Sequence, residues 1–272
     1  MFYWRVFLTF FRNSLIREAM FRGNFVIQVL TRLFWFSAQI ALFKIIYSQV
    51  TTIREWTEHQ YFAFMATGML VNSIVEAFFM PNCAEFSENI RTGRLDFALT
   101  KPIDTQFLIS LERVNISMVS QLLLSIALLV RSLWMIGSPI STFQVLGYLF
   151  YVIVAVMFFY SLMITTACTS ILFGRNQGLY DFWFYITVFA RYPRSIYDGR
   201  TAGTVETGEV IQFAFSYIVP ILIVITVPSQ VILGTLADWR LAVAAMIAST
   251  AGLLVARTVF HWSLNHYRSA SS

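Results

Sequence analysis

The sequence predicts an all-α integral membrane protein, with six transmembrane helices preceded by an amphipathic helix at the membrane interface. Three observations carry that prediction. The chain is 58% hydrophobic and only 12% charged, about half the charge of a soluble domain. Several apolar runs reach the roughly 20 residues a helix needs to cross a hydrocarbon core about 30 Å thick. The basic residues gather in alternate loops, as the positive-inside bias requires. The net charge of +5 then belongs to loop arginines, and no nucleic-acid partner is expected.

Residues 1–24 place Arg5, Thr9 and Arg12 at helical spacing on one side, with Phe2, Phe7, Phe10 and Phe11 as apolar surface. This is the pattern of an amphipathic helix at the cytoplasmic interface; a membrane-hugging start to the first span fits it equally. No short apolar stretch followed by an A-x-A-like site occurs there, so a cleaved signal peptide is not expected. Span one covers 25–47, span two 59–80, span three 108–130, span four 143–172 and the last span 241–263. No internal repeat divides the chain, which reads as one domain over 1–272.

The region 173–236 allows two arrangements. Its first apolar run, "LYDFWFYITVF", is short. The second, "VIQFAFSYIVPILIVITVPSQVIL", is long enough to cross, although Pro220 and Pro228 bend or break it. With the N-terminus inside, the inner segments hold Arg5, Arg12, Arg17, Arg22, Arg91, Arg94, Lys101, Arg175, Arg191, Arg194, Arg200, Arg257 and Arg268. Only Arg54, Arg131 and Arg240 lie outside. This lopsided count favours a cytoplasmic 173–208, with 179–190 on or dipping into the inner leaflet and 210–236 crossing. In the rival arrangement 179–192 crosses and 210–236 forms an outer re-entrant hairpin. Either way both termini are cytoplasmic.

Much chemistry is absent. Neither lysine, Lys44 or Lys101, follows a glycine, so no phosphate-cradling G-x-x-x-x-G-K-[ST] loop exists. There is no G-x-S-x-G elbow and no H-E-x-x-H. His261 and His266 are five apart and point to different helix faces. Cys83 and Cys168 lack C-x-x-C spacing and read as small buried apolar residues. No catalytic set can be assembled, and the chain is expected to hold no cofactor of its own.

Charges within the spans are few: Arg32, Lys44 and Glu76, with Glu112 and Arg113 near an end. Arg32 lies seven residues into span one, about 10 Å at 1.5 Å per residue, and Glu76 lies at a similar depth in span two. These spans share a short outer loop and are expected to be antiparallel neighbours. An unpaired charge at a helix centre costs about 2.5–3.5 kcal/mol. Arg32 and Glu76 therefore either pair or snorkel separately to the interface.

Between spans two and three, residues 81–107 form a charged insert that includes "ENIRTGRLDFALTKPID". Its first part forms a short helix, with Phe86 and Ile90 as an exposed apolar stripe and Gly93 as a C-terminal stop. "RLDFALTKP" is expected to run extended before Pro102, and Asp104 to cap span three. The insert is either a docking knob or a solvated loop.

The string "IRTGRLDFALTKPID" resembles the G-x-L-D-x-x-L-x-K-P pattern of bacterial ABC type-2 exporter permeases, which are half-size, six-span membrane subunits. "FARYPRSIY" and "FSYIVPILIVITVPSQVILG" are similar to the Pro-punctuated segment before the last span in one branch of these permeases. The resemblance implies that the insert is the coupling helix, gripped by a separate ATP-binding subunit. Its docking residues would be Glu85, Glu88, Arg91, Gly93, Arg94, Leu95, Asp96, Lys101 and Pro102. It also implies that residues 1–24 are the connecting helix and that a second permease chain, identical or related, completes the path. ATP and Mg would bind the partner subunit, and the home would be the bacterial inner membrane. Many such permeases place re-entrant helices on the outer side before the last span, which favours the rival topology for 179–236.

Two functions follow. One is the membrane subunit of an ATP-driven exporter; the alternative is an ATP-independent channel or scaffold. Gln39, Asn72, Asn115, Ser117 and Gln121 are polar residues that either line a path or serve helix packing.

Overall fold

A computed structural model describes residues 2–173, 183–185, 187–188, 190–197 and 212–267. Helix α1 (Phe2–Met20) leads almost directly into α2 (Arg22–Gln49). A short antiparallel hairpin, β1 (Thr52–Ile53) and β2 (Trp56–Thr57), turns the chain into α3 (Glu58–Phe78). The Gln60 side chain accepts from the Thr57 N–H (3.1 Å), satisfying a donor that the start of α3 would otherwise orphan. The insert comprises α4 (Met80–Arg91), α5 (Arg94–Leu99) and α6 (Thr105–Leu111). Then come α7 (Met118–Ile136), α8 (Thr142–Phe173), α9 (Ile221–Leu233) and α10 (Trp239–Asn265).

Among the described residues, α2, α3, α7, α8 and α10 are long and apolar enough to cross a membrane, and α9 is a shorter apolar helix. Helix α3 is the centre of the bundle. Tyr61, Ala63, Phe64, Ala66, Val71 and Val75 are all fully buried along it. Helix α2 is peripheral: only Phe43 and Tyr47 are buried, while Ile27, Phe34, Trp35 and Ile45 are exposed, as suits a lipid-facing helix. Helices α8 and α10 approach closely through small residues. Ser249 Oγ donates to Val154 O (3.0 Å), and a Cβ at Gly252 would lie 2.5 Å from Ser161 Oγ, so any larger residue there must displace the Ser161 hydroxyl.

The bundle has an insert end and a hairpin end, and several sequence expectations change when it is built. The third long helix starts at Met118, not at 108. Asn82 Oδ1 accepts the Arg113 N–H (2.8 Å) and Asn115 N–H donates to Ala77 O (2.8 Å). These bonds divert the backbone from the i−4 ladder, so α6 stops at Leu111 and Asp104 caps α6 instead (Phe107 N to Oδ1, 2.9 Å). "RLDFAL" is helical rather than extended. Gly93 turns at φ 70°, α5 restarts immediately, and Leu95 is buried; Pro102 restricts only Lys101, after the helix has ended. The stripe on α4 is not exposed: Phe86 is fully buried, with its ring centroid 6.2 Å from that of Phe260 in α10.

The favoured topology for 173–236 also fails where it is described; residues 174–182, 186, 189 and 198–211 lie outside the described residues. Trp183 Nε1 donates to Glu76 Oε1 (3.2 Å) near the insert end of α3. Tyr61, near its other end, donates to Arg191 O (3.2 Å), and Trp56 Nε1 of the hairpin donates to Ser195 Oγ (2.9 Å). The described residues between 183 and 195 therefore climb from the insert end to the hairpin end. Trp183 and Ala190 are buried inside the bundle, so this segment needs no 20-residue lipid-facing run.

Arg194 N donates to Thr226 Oγ1 (3.4 Å), Arg194 Nε to Ser216 Oγ (3.2 Å) and Gln212 Nε2 to Arg194 O (3.1 Å). Helix α9 then returns to the hairpin end, where Gly234 faces Gln144 at the start of α8. The described parts of 194–233 thus form the re-entrant arrangement of the rival reading. Arg191 and Arg194 move to the hairpin end, and the charge asymmetry shrinks accordingly.

Candidate functional site

Two features carry the site: the insert, and a cavity inside the bundle. Asn82 is the insert's internal anchor. Its Nδ2 donates to Phe78 O (2.8 Å), Ser110 O (3.0 Å) and Arg113 O (2.7 Å), while its Oδ1 takes the Arg113 N–H. Glu85 is used internally as well, bridging Arg94 (3.4 Å) and Arg113. Leu95 is buried, and Asp96 faces Tyr267 at the end of α10. Of the docking candidates, Arg94, Lys101 and Pro102 are exposed, Gly93 and Glu88 half-buried, and the Arg91 side chain lies outside the described residues. The insert's outward apolar surface is Phe97, 73% exposed, with Leu99 beside it on α5. The sequence reading passed over Phe97 because it expected an extended strand there.

The insert is tied to the rest of the bundle on two sides. Arg257 of α10 grips Asp104 with both terminal nitrogens (3.1 and 2.5 Å) and reaches Gln106 Oε1 (2.9 Å). That guanidinium holds the Asp104 carboxyl below the usual carboxylate range. Gln106 and Ser110 meet the Tyr160 hydroxyl of α8 (3.0 and 2.8 Å). From α1, Tyr3 packs its ring on Phe107 (4.9 Å), and Ser14 Oγ accepts the Val114 N–H (3.0 Å). Residues this far apart in sequence gave no periodic signal that could have paired them.

A cavity of about 900 Å³ lies between α2, α3 and residues 183–192. Three of the five polar candidates line it: Gln39, Asn72 and Gln121. The other two do not. Asn115 and Ser117 lock the start of α7, where Ser117 Oγ meets Asn115 Oδ1 (2.6 Å) and Gln28 Oε1 (2.7 Å). The structure brings Arg32 and Glu76 together in this cavity, with Arg32 Nη1 3.6 Å from Glu76 Oε2. Arg32 Nη1 also lies 3.3 Å from Gln121 Oε1, and Asn72 Nδ2 donates to Glu76 Oε1 (2.7 Å). Phe36, Phe43, Phe64 and Phe159 supply the apolar wall.

A multi-pass helical bundle with an internal amphipathic cavity and a compact insert at one end is the build of a membrane permease. The family model described as ABC-2 family transporter protein matches residues 33–271, and the chain belongs to that family. It is therefore a permease subunit of an ABC transporter, a transport subunit that is not itself catalytic. No curated protein and no solved structure matches the chain.

Proposed function

We propose that this chain, as one permease domain, pairs with a second permease chain, identical or related, to form the substrate path of an exporter. A separate ATP-binding subunit, holding ATP and Mg, would drive it by gripping residues 81–107. The observation that carries this reading is the exposed Phe97, with Leu99 beside it, on an insert in which Phe86 and Leu95 face inward. A large apolar side chain held out from a firmly anchored scaffold, flanked by Arg94 and Lys101, has the composition of an interface anchor. The cavity lined by Gln39, Asn72 and Gln121 is the path in this chain. The insert end faces the cytoplasm, with both termini, in the bacterial inner membrane. The remaining bias of arginines to that end supports this orientation.

The test is recovery of the ATPase. Phe97→Glu, or Glu88, Arg91 and Asp96 together changed to Ala, should leave the permease inserted but lose the co-purifying ATP-binding subunit. Undiminished ATPase recovery with both variants refutes the docking assignment. A single Cys at position 92 should react with impermeant maleimide only from the cytoplasmic side, and one at position 55 only from outside; the opposite pattern refutes the orientation.

A further inference from the structure

Helix α1 carries three neighbouring lines of side chains, each spaced i, i+4, i+7 and i+11. Tyr3, Phe7, Phe10 and Ser14 make the line that turns toward the bundle. The Tyr3 ring packs on Phe107 and its hydroxyl accepts the Asp104 N–H (3.4 Å). Phe7 lies against Phe78 at the end of α3 (6.1 Å between centroids), and the buried Ser14 accepts the Val114 N–H (3.0 Å). These contacts fix the rotation of α1 and lay it across the insert end, where α3 stops at Phe78 and α7 has yet to start at Met118. The second line is apolar: Trp4, 64% exposed, Leu8 and Leu15 are open, with the half-buried Phe11 among them. The third line is Arg5, Thr9, Arg12 and Ile16, all exposed. Arg5 and Arg12 make no ion pair among the described residues. The one acid in residues 1–24, Glu18, is half-buried.

We propose that α1 is a docking surface for anionic lipid: Trp4, Leu8 and Leu15 enter the leaflet at the insert end, and Arg5 and Arg12 hold its negatively charged headgroups. This surface is independent of the cavity and of any subunit that grips the insert. An apolar flank alone would seat on any bilayer, with the Trp4 ring at headgroup level. The selection comes from the two unpaired guanidiniums beside it, which present planar donor forks to phosphate oxyanions with no exposed acid on the helix to offset them. A zwitterionic headgroup meets the forks but supplies no net field, whereas an anionic surface adds about fivefold per arginine. An acidic soluble protein could meet the arginines. It would also have to cover an apolar flank that leads, through the exposed Phe21, into the lipid-facing α2.

The test reads which lipid lies beside α1. The full-length chain with Leu8→Cys carries a bimane at that position, since both native cysteines, Cys83 and Cys168, are buried. It is placed in phosphatidylcholine nanodiscs doped with nitroxide-labelled phosphatidylglycerol or, separately, nitroxide-labelled phosphatidylcholine. Quenching by both is expected, with a preference of about fivefold for phosphatidylglycerol at low salt. The preference should collapse in 1 M NaCl, where the screening length is about 3 Å. Arg5→Gln with Arg12→Gln should abolish it, and Arg5→Lys with Arg12→Lys should keep most of it, because charge rather than shape sets the field. Equal quenching by the two lipids overturns the proposal, as does a preference that survives in an Arg5→Gln, Arg12→Gln protein with a native gel-filtration profile. Quenching by neither lipid also overturns it, and leaves the face to a soluble partner. The readout needs the permease alone, so its failure leaves the ATPase co-purification result standing.

Discussion

Replacing Asn82 with Leu, a side chain of similar size, tests the internal anchor of the insert. The substitution removes every hydrogen bond that the Asn82 amide makes. The Arg113 N–H and the carbonyls of Phe78, Ser110 and Arg113 lose a partner at a site where Asn82 is only 4% exposed. A net hydrogen bond is worth about 1 kcal/mol, and an orphaned buried donor costs about 1–3 kcal/mol. The sum for these four groups is about 4–6 kcal/mol, offset by about 1–2 kcal/mol for the apolar area that Leu buries. The expected loss is therefore about 3–4 kcal/mol. Reversible unfolding in mixed micelles of increasing dodecyl sulfate content measures it. Asn82→Asp provides the control, since it keeps the acceptor for Arg113 N but turns a second oxygen against three carbonyls, and it should be at least as damaging. A loss below about 0.5 kcal/mol for Asn82→Leu would show that α4 does not depend on this anchor, and would refute the account of why α6 stops at Leu111.

Three further outcomes follow from named contacts. Asp104→Asn should cost about 1 kcal/mol, because the pair with Arg257 is partly solvated. Its carboxyl is held below the ordinary range, so the stabilisation is fully present above about pH 4 and is lost on further acidification; unfolding at stepped pH should show the difference between the two proteins vanish there. Gly252→Val should break the α8–α10 crossing, since even a Cβ would lie 2.5 Å from Ser161 Oγ. The Gly252→Val, Ser161→Gly double variant should recover part of the lost thermal stability, and no recovery counts against this contact. Ser195→Cys should label with impermeant maleimide from the same side as a Cys at position 55, given the bond from Trp56 to Ser195; labelling from the side of position 92 would restore the topology that the structure overturns.

What the sequence disclosed, and what it hid, divides along a physical line. Long lipid-facing helices such as α2 and α7 must be apolar over their whole length, so hydropathy finds them. The closeness of Arg32 and Glu76 was readable because a short connection forces antiparallel neighbours. Residues 183–195 were misread because hydropathy measures contact with lipid, whereas Trp183 and Ala190 are covered by protein. The insert was visible as a run of charge, but its internal geometry was not. Asn82 reaches residues about thirty positions away, and Arg257 reaches Asp104 across 153. Such pairings leave no mark on local composition. Phe97 was hidden for a different reason: a single glycine at positive φ converts an extended strand into a helix and turns that side chain outward.

The same contacts bear on how force applied at the insert would reach the cavity. A loop held only at its two ends absorbs a push by bending. This insert is held through Asn82 to the turn before α7, through Asp104 to Arg257 of α10 and through Gln106 and Ser110 to Tyr160 of α8. Helix α3 runs into α4 with one residue between them, and Glu76 lies only four residues before Met80. A displacement of α4 would therefore shift Glu76 together with Asn72 of the same helix, while Arg32 sits on α2, a helix with little buried contact of its own. The 3.6 Å separation between Arg32 and Glu76 is where such a motion would be taken up. A crosslink joining α2 to α3 at that level should then abolish substrate-stimulated ATPase activity in the assembled transporter while leaving ATPase recovery intact. Full stimulation in the crosslinked protein would mean that the slot and the insert move independently.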